Sequence, residues 1–507
     1  MKQLLILLFA LVLCYTPSSA QQTRRQLIKK LNSVYELIDD NYVEDVSLEP
    51  LVEEAIRTTL KSLDPHSSYL SKEEMEESNR RIKGKFAGIG ISYIIHNDTL
   101  VVRSIFEDSP ASFALIQPND RIIAVNGQSI IGRDYKSIKT LLDGEVGSMV
   151  SLTIIPHNGS KPTIVNLKRK NIRNNPVTAL RIDSIGYISI SSFTNTLLSD
   201  FRTAYSTLGD IKALVIDLRD NGGGYLTSGI DLASLFLSRK ESVVIIKNRR
   251  REFAFRNPSD GELKDTPLVV LINENTASAS EIFAGAIQDQ DRGTIIGRTS
   301  YGKGLIQRII KYKDGSGIRI TTAKYMTPSG RPIQRPYTLG NDDTYHSDST
   351  RFLHPDSIHH ADSLKFRTLK RGREVYAGGG ITPDIYIEKR STNLSDCVKK
   401  SLLDAIIEHS EIEFWNTSSI SDMLTRYPTI ECFANEYVVS TELWDILFGL
   451  GGYSAEDITD TDREYLETML CAAIAERLYG IEARYYINIS RSDYMAQQAI
   501  SIATSSR

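Results

Sequence analysis

Cysteine is scarce in this chain, four among 507 residues. Cys14 lies in an apolar leader, and Cys397, Cys432 and Cys471 follow no metal-ligand spacing. That odd remainder leaves room for one disulfide and a lone thiol, but gives no metal framework. A dominant charge of one sign is also missing: the net charge is −3, without the basic excess of a nucleic-acid binder or of a protein drawn to acidic membranes. Nor is there compositional bias, since 41% hydrophobic and 24% charged residues argue against a disordered or fibrous chain. The G-x-S-x-G elbow, the K-T-G triplet and the Walker lysine are all absent. A serine elbow hydrolase, a β-lactam enzyme and a phosphate-cradling loop are thereby set aside. No apolar run is long enough to span a bilayer.

The longest such run, Leu4 to Leu13, sits behind Lys2 and before Ser18-Ser19-Ala20, the layout of a secretory signal over 1–20. Acylation at Cys14 ranks second, because Leu13 before it is larger than such sites accept. Residues 21–84 repeat apolar positions at three and four and read as helices, with Ser71 and Glu74 spaced as a capping box. Residues 85–171 switch to short β-rich runs with two short helical patterns between them. From 172 to 395 strands and helices alternate, and runs such as "IKALVIDL" and "PLVVLIN" are apolar throughout, as in a sheet buried on both faces. Residues 396–507 return to helix, with no chemistry visible, and read as an accessory or oligomerisation region.

Chemistry concentrates in "PLVVLINENTASASEIFAGAIQD" and "SYGKGLIQ". Strand, tight turn and helix is how an enzyme presents a hydroxyl at a helix N-terminus, where unpaired N–H groups favour negative charge. Thr276, Ser278 and Ser280 all compete for that role, and any of them also fits a plain N-cap. No histidine borders a strand end of the α/β segment; His346, His354, His359 and His360 fall in a polar insertion, 336–372. A lysine serves as base when burial lowers its pKa, and Lys303 stands between Gly302 and Gly304 beside an apolar strand.

Residues 85–171 resemble a PDZ domain. In that family the segment Phe86-Ala87-Gly88-Ile89-Gly90-Ile91 is a loop offering backbone N–H groups to a peptide's C-terminal carboxylate, and the peptide adds to the sheet edge. Leu115 and Asn119 replace two glycines of the family pattern; Asn tolerates a left-handed backbone and Leu does not.

Taken together, "SLDPHSSYL", "LRDNGGG", "TASASEIFAGAIQD", "GKGLIQ", "YMTPSGRPIQ" and "GGGITPDI", in that order, resemble the C-terminal processing (tail-specific) serine peptidases over about residues 35–390. The resemblance implies an α/β core of the crotonase/Clp-protease-like spiral type, with an inserted PDZ-like α+β domain and helical N- and C-terminal regions. It places the nucleophile on Ser278, the base on Lys303 and a lysine-holding glutamine on Gln307. Oxyanion donors fall on the N–H groups of Ala279 and of the glycine turn, Gly223 before Gly222 or Gly224, while Asp289 reads as structural. The implied function is an exported endopeptidase, in the periplasm or envelope of a bacterium, that grips free apolar C-termini of protein or peptide substrates. No cofactor, metal or nucleic acid enters, and a homo-oligomer is compatible. A tail binder without catalysis on the same fold is the alternative.

Overall fold

The computed structural model describes residues 19–83, 85–114, 116–157, 159, 161–173, 175–339, 345, 362–388, 394–400, 403–454 and 456–505. The leader, Leu115 and most of the 336–372 insertion, including His346, His354, His359 and His360, lie outside them. No helix among the described residues is long and apolar enough to cross a membrane.

Three helices, Ser19–Asn41, Leu48–Lys61 and Lys72–Lys83, open the described chain, with strand β1 (Ser68–Leu70) before the third. The Ser71–Glu74 capping box forms in both directions: Ser71 N–H donates to Glu74 Oε2 (2.7 Å) and Glu74 N–H to Ser71 Oγ (3.2 Å). Next come β2 (Lys85–Gly88), β3 (Ile91–His96), β4 (Thr99–Ile105), β5 (Arg121–Val125), β6 (Gln128–Ser129), β7 (Met149–Ile155), β8 (Thr163–Lys168) and β9 (Lys170–Arg173). Five of them form a sheet in the order β3-β4-β5-β7-β8, with β6 on β5, closed over a core that includes Leu100, Val102, Ile122, Ile138 and Leu152. Asn119 does adopt φ 68°, the left-handed backbone its family position requires.

The larger unit holds β10 (Val177–Ile182), β11 (Ile185–Ile190), β12 (Ala213–Asp217), β13 (Ser242–Asn248), β14 (Glu252–Arg256), β15 (Leu268–Ile272), β16 (Thr294–Gly297), β17 (Leu305–Lys311) and β18 (Gly317–Met326). After β19 (Lys365–Arg367) and β20 (Glu374–Tyr376), β21 (Ile385–Tyr386) completes a six-stranded sheet, β10-β11-β12-β15-β16-β21. It is parallel from β11 onward. Every residue of β12 and β15 is buried, as their unbroken apolar runs require. Helices Leu197–Thr207, Leu226–Ser234 and Ala279–Asp289 cover one face. The second sheet, β1-β18-β13-β14 with β17 on β18, carries a strand from the N-terminal region: β1 pairs antiparallel with β18, Ser68 opposite Arg319.

The other face of the six-stranded sheet corrects the expectation of a merely accessory C-terminal region. Helix Tyr494–Ser505 lays Met495, Ala496, Ala499 and Ala503 against Leu180, Tyr187, Val215, Val269 and Leu271. Small alanines spaced by three and four let that helix approach the strands closely. The preceding helices keep a core of their own, with Trp415, Phe433, Leu443, Leu470 and Ile474 at its centre. Helices Leu403–Thr417 and Asp460–Tyr479 also grip the PDZ unit: Arg477 Nη2 donates to Asn119 Oδ1 (2.6 Å) and Asn119 Nδ2 to the Ile412 carbonyl (3.3 Å). Cys397, Cys432 and Cys471 are all free, with Cys471 buried.

Candidate active site

Between β15 and helix Ala279–Asp289 the turn is pinned to the end of β12. Asp220 N–H donates to Asn273 Oδ1 (2.9 Å), Asn273 Nδ2 to Asp220 Oδ1 (2.9 Å), and the Thr276 hydroxyl to the Leu218 carbonyl (2.8 Å). The chain enters the helix through Ser278 at φ 60°, ψ −115°. Such a backbone costs a residue with a side chain about 1–3 kcal/mol and persists where its surroundings over-determine it. Gly229 of the neighbouring helix has no room for a Cβ, which would lie 2.8 Å from the Ala279 carbonyl oxygen, so that helix presses directly on the turn.

The three candidate hydroxyls now separate. Thr276 and Ser280 are fully buried and donate to backbone carbonyls, Leu218 and Asn221 respectively. Ser278 is partly exposed.

One carboxylate organises the rest. Glu281, fully buried, accepts the N–H groups of Ser278 (2.8 Å) and Lys303 (2.9 Å) on Oε2, and those of Gly302 (2.6 Å) and the Ser300 hydroxyl (2.6 Å) on Oε1. Ser278 and Lys303 are therefore tied through a shared oxygen. Burial pushes the Glu281 pKa up to about 7, against the pull of those donors. Tyr325 adds a second tie, its hydroxyl reaching the carbonyls of both Ser278 (3.0 Å) and Lys303. Burial raises its pKa far above the usual tyrosine value, so it stays a donor.

Lys303 precedes β17 and is largely shielded from solvent. Desolvation, aided by the Arg319 charge, holds its pKa below the ordinary lysine value, with Glu281 and Asp64 opposing. Its ammonium nitrogen has no hydrogen-bonding or carboxylate partner among the described residues. Gly302 at φ 84° leaves a Cβ only 2.5 Å from Arg335 Cγ, so the glycine beside the lysine is a packing requirement.

Gly223, at φ 95°, abuts the turn: a Cβ there would lie 2.8 Å from Ser278 Cβ and 2.9 Å from the Ala279 nitrogen. Its own N–H, however, donates to Asn221 Oδ1 (2.9 Å), a bond that an oxyanion would have to displace or share. Gln307 makes no hydrogen bond to Lys303 among the described residues. A bulge between Ile306 and Gln307 shifts the register, and Gln307 Nε2 donates to Thr321 Oγ1 (3.2 Å) across the strand pair. Asp289 is a structural anchor, fully buried against Arg331 (2.8 Å) and accepting Ser329 N–H (3.0 Å) and Oγ (2.6 Å).

In the PDZ unit the expected loop Phe86–Ile91 is shorter than the sequence suggested. Phe86, Ala87 and Gly88 pair as a strand with Ile172, Asn171 and Lys170 of β9, which occupies their backbone, and Ile91 opens β3. The turn itself is Ile89-Gly90. Gly90 takes φ 82°, and a Cβ would collide with Ser109 Cβ at 2.1 Å. The carbonyls of Ile89 and Gly90 are held by Ala111 N–H (2.9 Å) and Phe106 N–H (3.0 Å). β3 is the free edge of its sheet, and Tyr93 on it stacks on Tyr135 of helix Tyr135–Leu142, ring centres 5.2 Å apart.

Comparison with known proteins agrees with this layout. The model of peptidase family S41 matches residues 184–341, a PDZ domain matches 87–167, and the activating protease CtpB N-terminal domain matches 14–74. A carboxy-terminal-processing protease of Bartonella bacilliformis is 36% identical over 63% of this chain and 75% of its own length. A probable CtpA-like serine protease of Staphylococcus saprophyticus is 32% identical over 65% of this chain and 68% of its own. Among solved structures, the photosystem II D1 C-terminal processing protease aligns at 27% identity with a TM-score of 0.38, over 71% of this chain and 86% of that one. The chain belongs to peptidase family S41, as a carboxy-terminal-processing serine protease with a PDZ domain.

Glu281, Tyr325 and Asn221 were not singled out by the sequence. Only Glu281 left a trace there: a glutamate three residues after a serine at a helix start.

Proposed function

We propose that this peptidase works through Ser278 and Lys303 by way of an acyl-enzyme, on substrates captured at the PDZ unit by a free, apolar C-terminus. The observation that carries the reading is the Glu281 carboxylate bonded to the backbones of both residues, beside a lysine whose pKa burial depresses. Neutral Lys303 takes the Ser278 hydroxyl proton as Oγ bonds to the scissile carbonyl carbon. The resulting oxyanion meets the Ala279 N–H at the helix start, and the Gly223 N–H once Asn221 yields it. Lys303 then returns its proton to the leaving amine as the C–N bond breaks. Water, deprotonated by the same amine, cleaves the ester, and the proton goes back to Ser278.

Tail capture rests on the β3 edge of the sheet and on the Ile89-Gly90 turn beside it, whose carbonyls are already bonded to Ala111 and Phe106. Export rests on the leader at 1–20, which puts the enzyme in a bacterial periplasm or envelope.

The test is cleavage of one unstructured peptide with a free or an amidated C-terminus, by wild type and Ser278→Ala. Loss of turnover on amidation, and in the variant with tail binding kept, is expected. Near-wild-type turnover by Ser278→Ala would sink the assignment.

A further inference from the structure

A strand at the edge of a sheet presents a row of unpaired N–H and C=O groups, and proteins guard such edges with charge, proline or a covering element. β14 (Glu252–Arg256) is the last strand of the sheet that carries Tyr325, and among the described residues no strand pairs with its outer side. All five of its residues are exposed and none is proline. Phe253 lies opposite Ile246 of β13, and Phe255 opposite Val244, so both rings stand on the core-facing side of the sheet. Val244 and Ile246 are buried in the central core, whereas Phe253 and Phe255 keep 41% and 40% exposure. The apolar face of this sheet therefore runs one strand beyond what the helices cover.

The backbone alternates in step with the side chains. Asn248 N–H donates to the Arg251 carbonyl (3.0 Å) at one end of the hairpin. At the other, Asn257 N–H donates to the Glu241 carbonyl (2.8 Å) and Lys240 N–H to the Asn257 carbonyl (2.8 Å). By that alternation Phe253 and Phe255 turn their polar groups toward β13, and Glu252, Ala254 and Arg256 turn theirs outward. The strand reads Glu-Phe-Ala-Phe-Arg, with opposite charges placed symmetrically about Ala254. Set antiparallel against a copy of itself and centred on Ala254, it matches at every position. The Ala254 pair and the Glu252–Arg256 pairs exchange backbone hydrogen bonds, and Phe253 faces Phe255 in the closer, non-hydrogen-bonded pairing. Each Glu252 faces an Arg256, so the edges attract, where an edge of one sign would repel its copy. The arginine tips, residues 249–251, are carried to opposite ends, with Arg250 about 27 Å from its counterpart. Within one chain these two charges are only lightly engaged: Glu252 meets exposed Lys247 (3.2 Å), and Arg256 Nη1 donates to the Lys240 carbonyl (3.3 Å).

We propose that β14 is a self-association edge: a second copy of this chain pairs with it antiparallel about Ala254, and the two sheets become one continuous sheet. Ile246 of β13 lies opposite Tyr325 of β18, and the Tyr325 hydroxyl donates to the Ser278 carbonyl (3.0 Å). The joined sheets are thus the ones that support the two Ser278 turns. The pairing is independent of which side chains perform the chemistry.

The experiment is sedimentation equilibrium of the full chain over a concentration series. Wild type should pass from monomer to dimer as concentration rises. Ala254→Pro removes an outward N–H and no bond to β13, so it should lose the dimer and keep its thermal midpoint at dilutions where wild type is monomeric. Glu252→Arg sets arginine against arginine, and Arg256→Glu sets glutamate against glutamate. Each should raise the dissociation constant about tenfold, since the contact occurs twice per dimer. The double variant, Glu252→Arg with Arg256→Glu, restores opposite charges and should return the constant to near the wild-type value. A wild type that stays monomeric at every concentration overturns the proposal. So does a dimer that Ala254→Pro leaves intact, or a double variant no tighter than either single one. A monomer whose Ala254→Pro variant instead raises KM for a peptide hands the edge to a substrate strand, and overturns it too. If Ala254→Pro does not fold, the charge reversals, made on exposed side chains, decide the matter.

Discussion

Two polar clusters in this molecule are made of different material. Around Glu281 the donors are three backbone N–H groups and a hydroxyl, all set by the turns that carry them. Between the PDZ unit and the C-terminal helices the contacts are mostly side chain on side chain. Arg103 faces Glu408, Glu411 (3.6 Å) and Glu476 (3.8 Å), and His96 lies between His409 and Glu413, at 2.5 Å from each. Backbone donors cannot swing away without unfolding the turn. Titratable side chains, in contrast, can change charge with pH. The Glu281 cluster is thus fixed by the backbone, whereas the joint that holds the PDZ unit depends on side chains whose charge can change.

The sharpest way to break the first cluster's chemistry is Lys303→Arg, which keeps a cation but never a neutral base. Cleavage should fall about 10³-fold, the middle of the range for loss of a general base, and no pH up to 10 should restore it in a peptide assay. Glu281→Gln comes next. An amide turned toward four donors leaves at least one N–H facing an NH₂, so the variant should be destabilised by about 3 kcal/mol in a denaturant titration. Turnover should drop with it.

Effects on the second cluster should be smaller and differ in kind. Arg477→Ala removes the tie to Asn119 and to the Arg103 carbonyl. KM for a tail-bearing peptide should rise about fivefold, a coupling energy near 1 kcal/mol, with kcat on a short untailed peptide unchanged. The weakest effect is acid. Burial and the neighbouring His96 hold the His409 pKa below 6.5, so His409 stays neutral when folded more readily than when unfolded. Its contribution is complete above pH 6.5 and is lost as pH falls through the depressed folded value. Limited proteolysis between the PDZ unit and the helices should accelerate in mild acid, and His409→Gln should flatten that response.

Much of the architecture was legible because burial writes itself as pattern. "IKALVIDL" and "PLVVLIN" can only be strands covered on both sides, and the switch to short β runs announced the PDZ unit. What covered the second face was not legible. Helix Tyr494–Ser505 shows a stripe of alanines, and nothing local says which surface they meet. At the site, the local pattern left three candidate hydroxyls and the family resemblance pointed to Ser278, while their differing burial and partners became visible only in the fold. Glu281 went unread because its role depends on a loop twenty residues away folding back onto it. The bulge before Gln307 escaped notice for a similar reason: register is a property of two strands, and β18 lies beyond the local text.

Helix Tyr494–Ser505 has a consequence for how the molecule comes into being. The strands it covers precede the alanine stripe that shields them, so they leave the ribosome first. Until that segment folds down, one side of the sheet lies bare and greasy, and a ribosome-tethered intermediate must be sheltered from its neighbours.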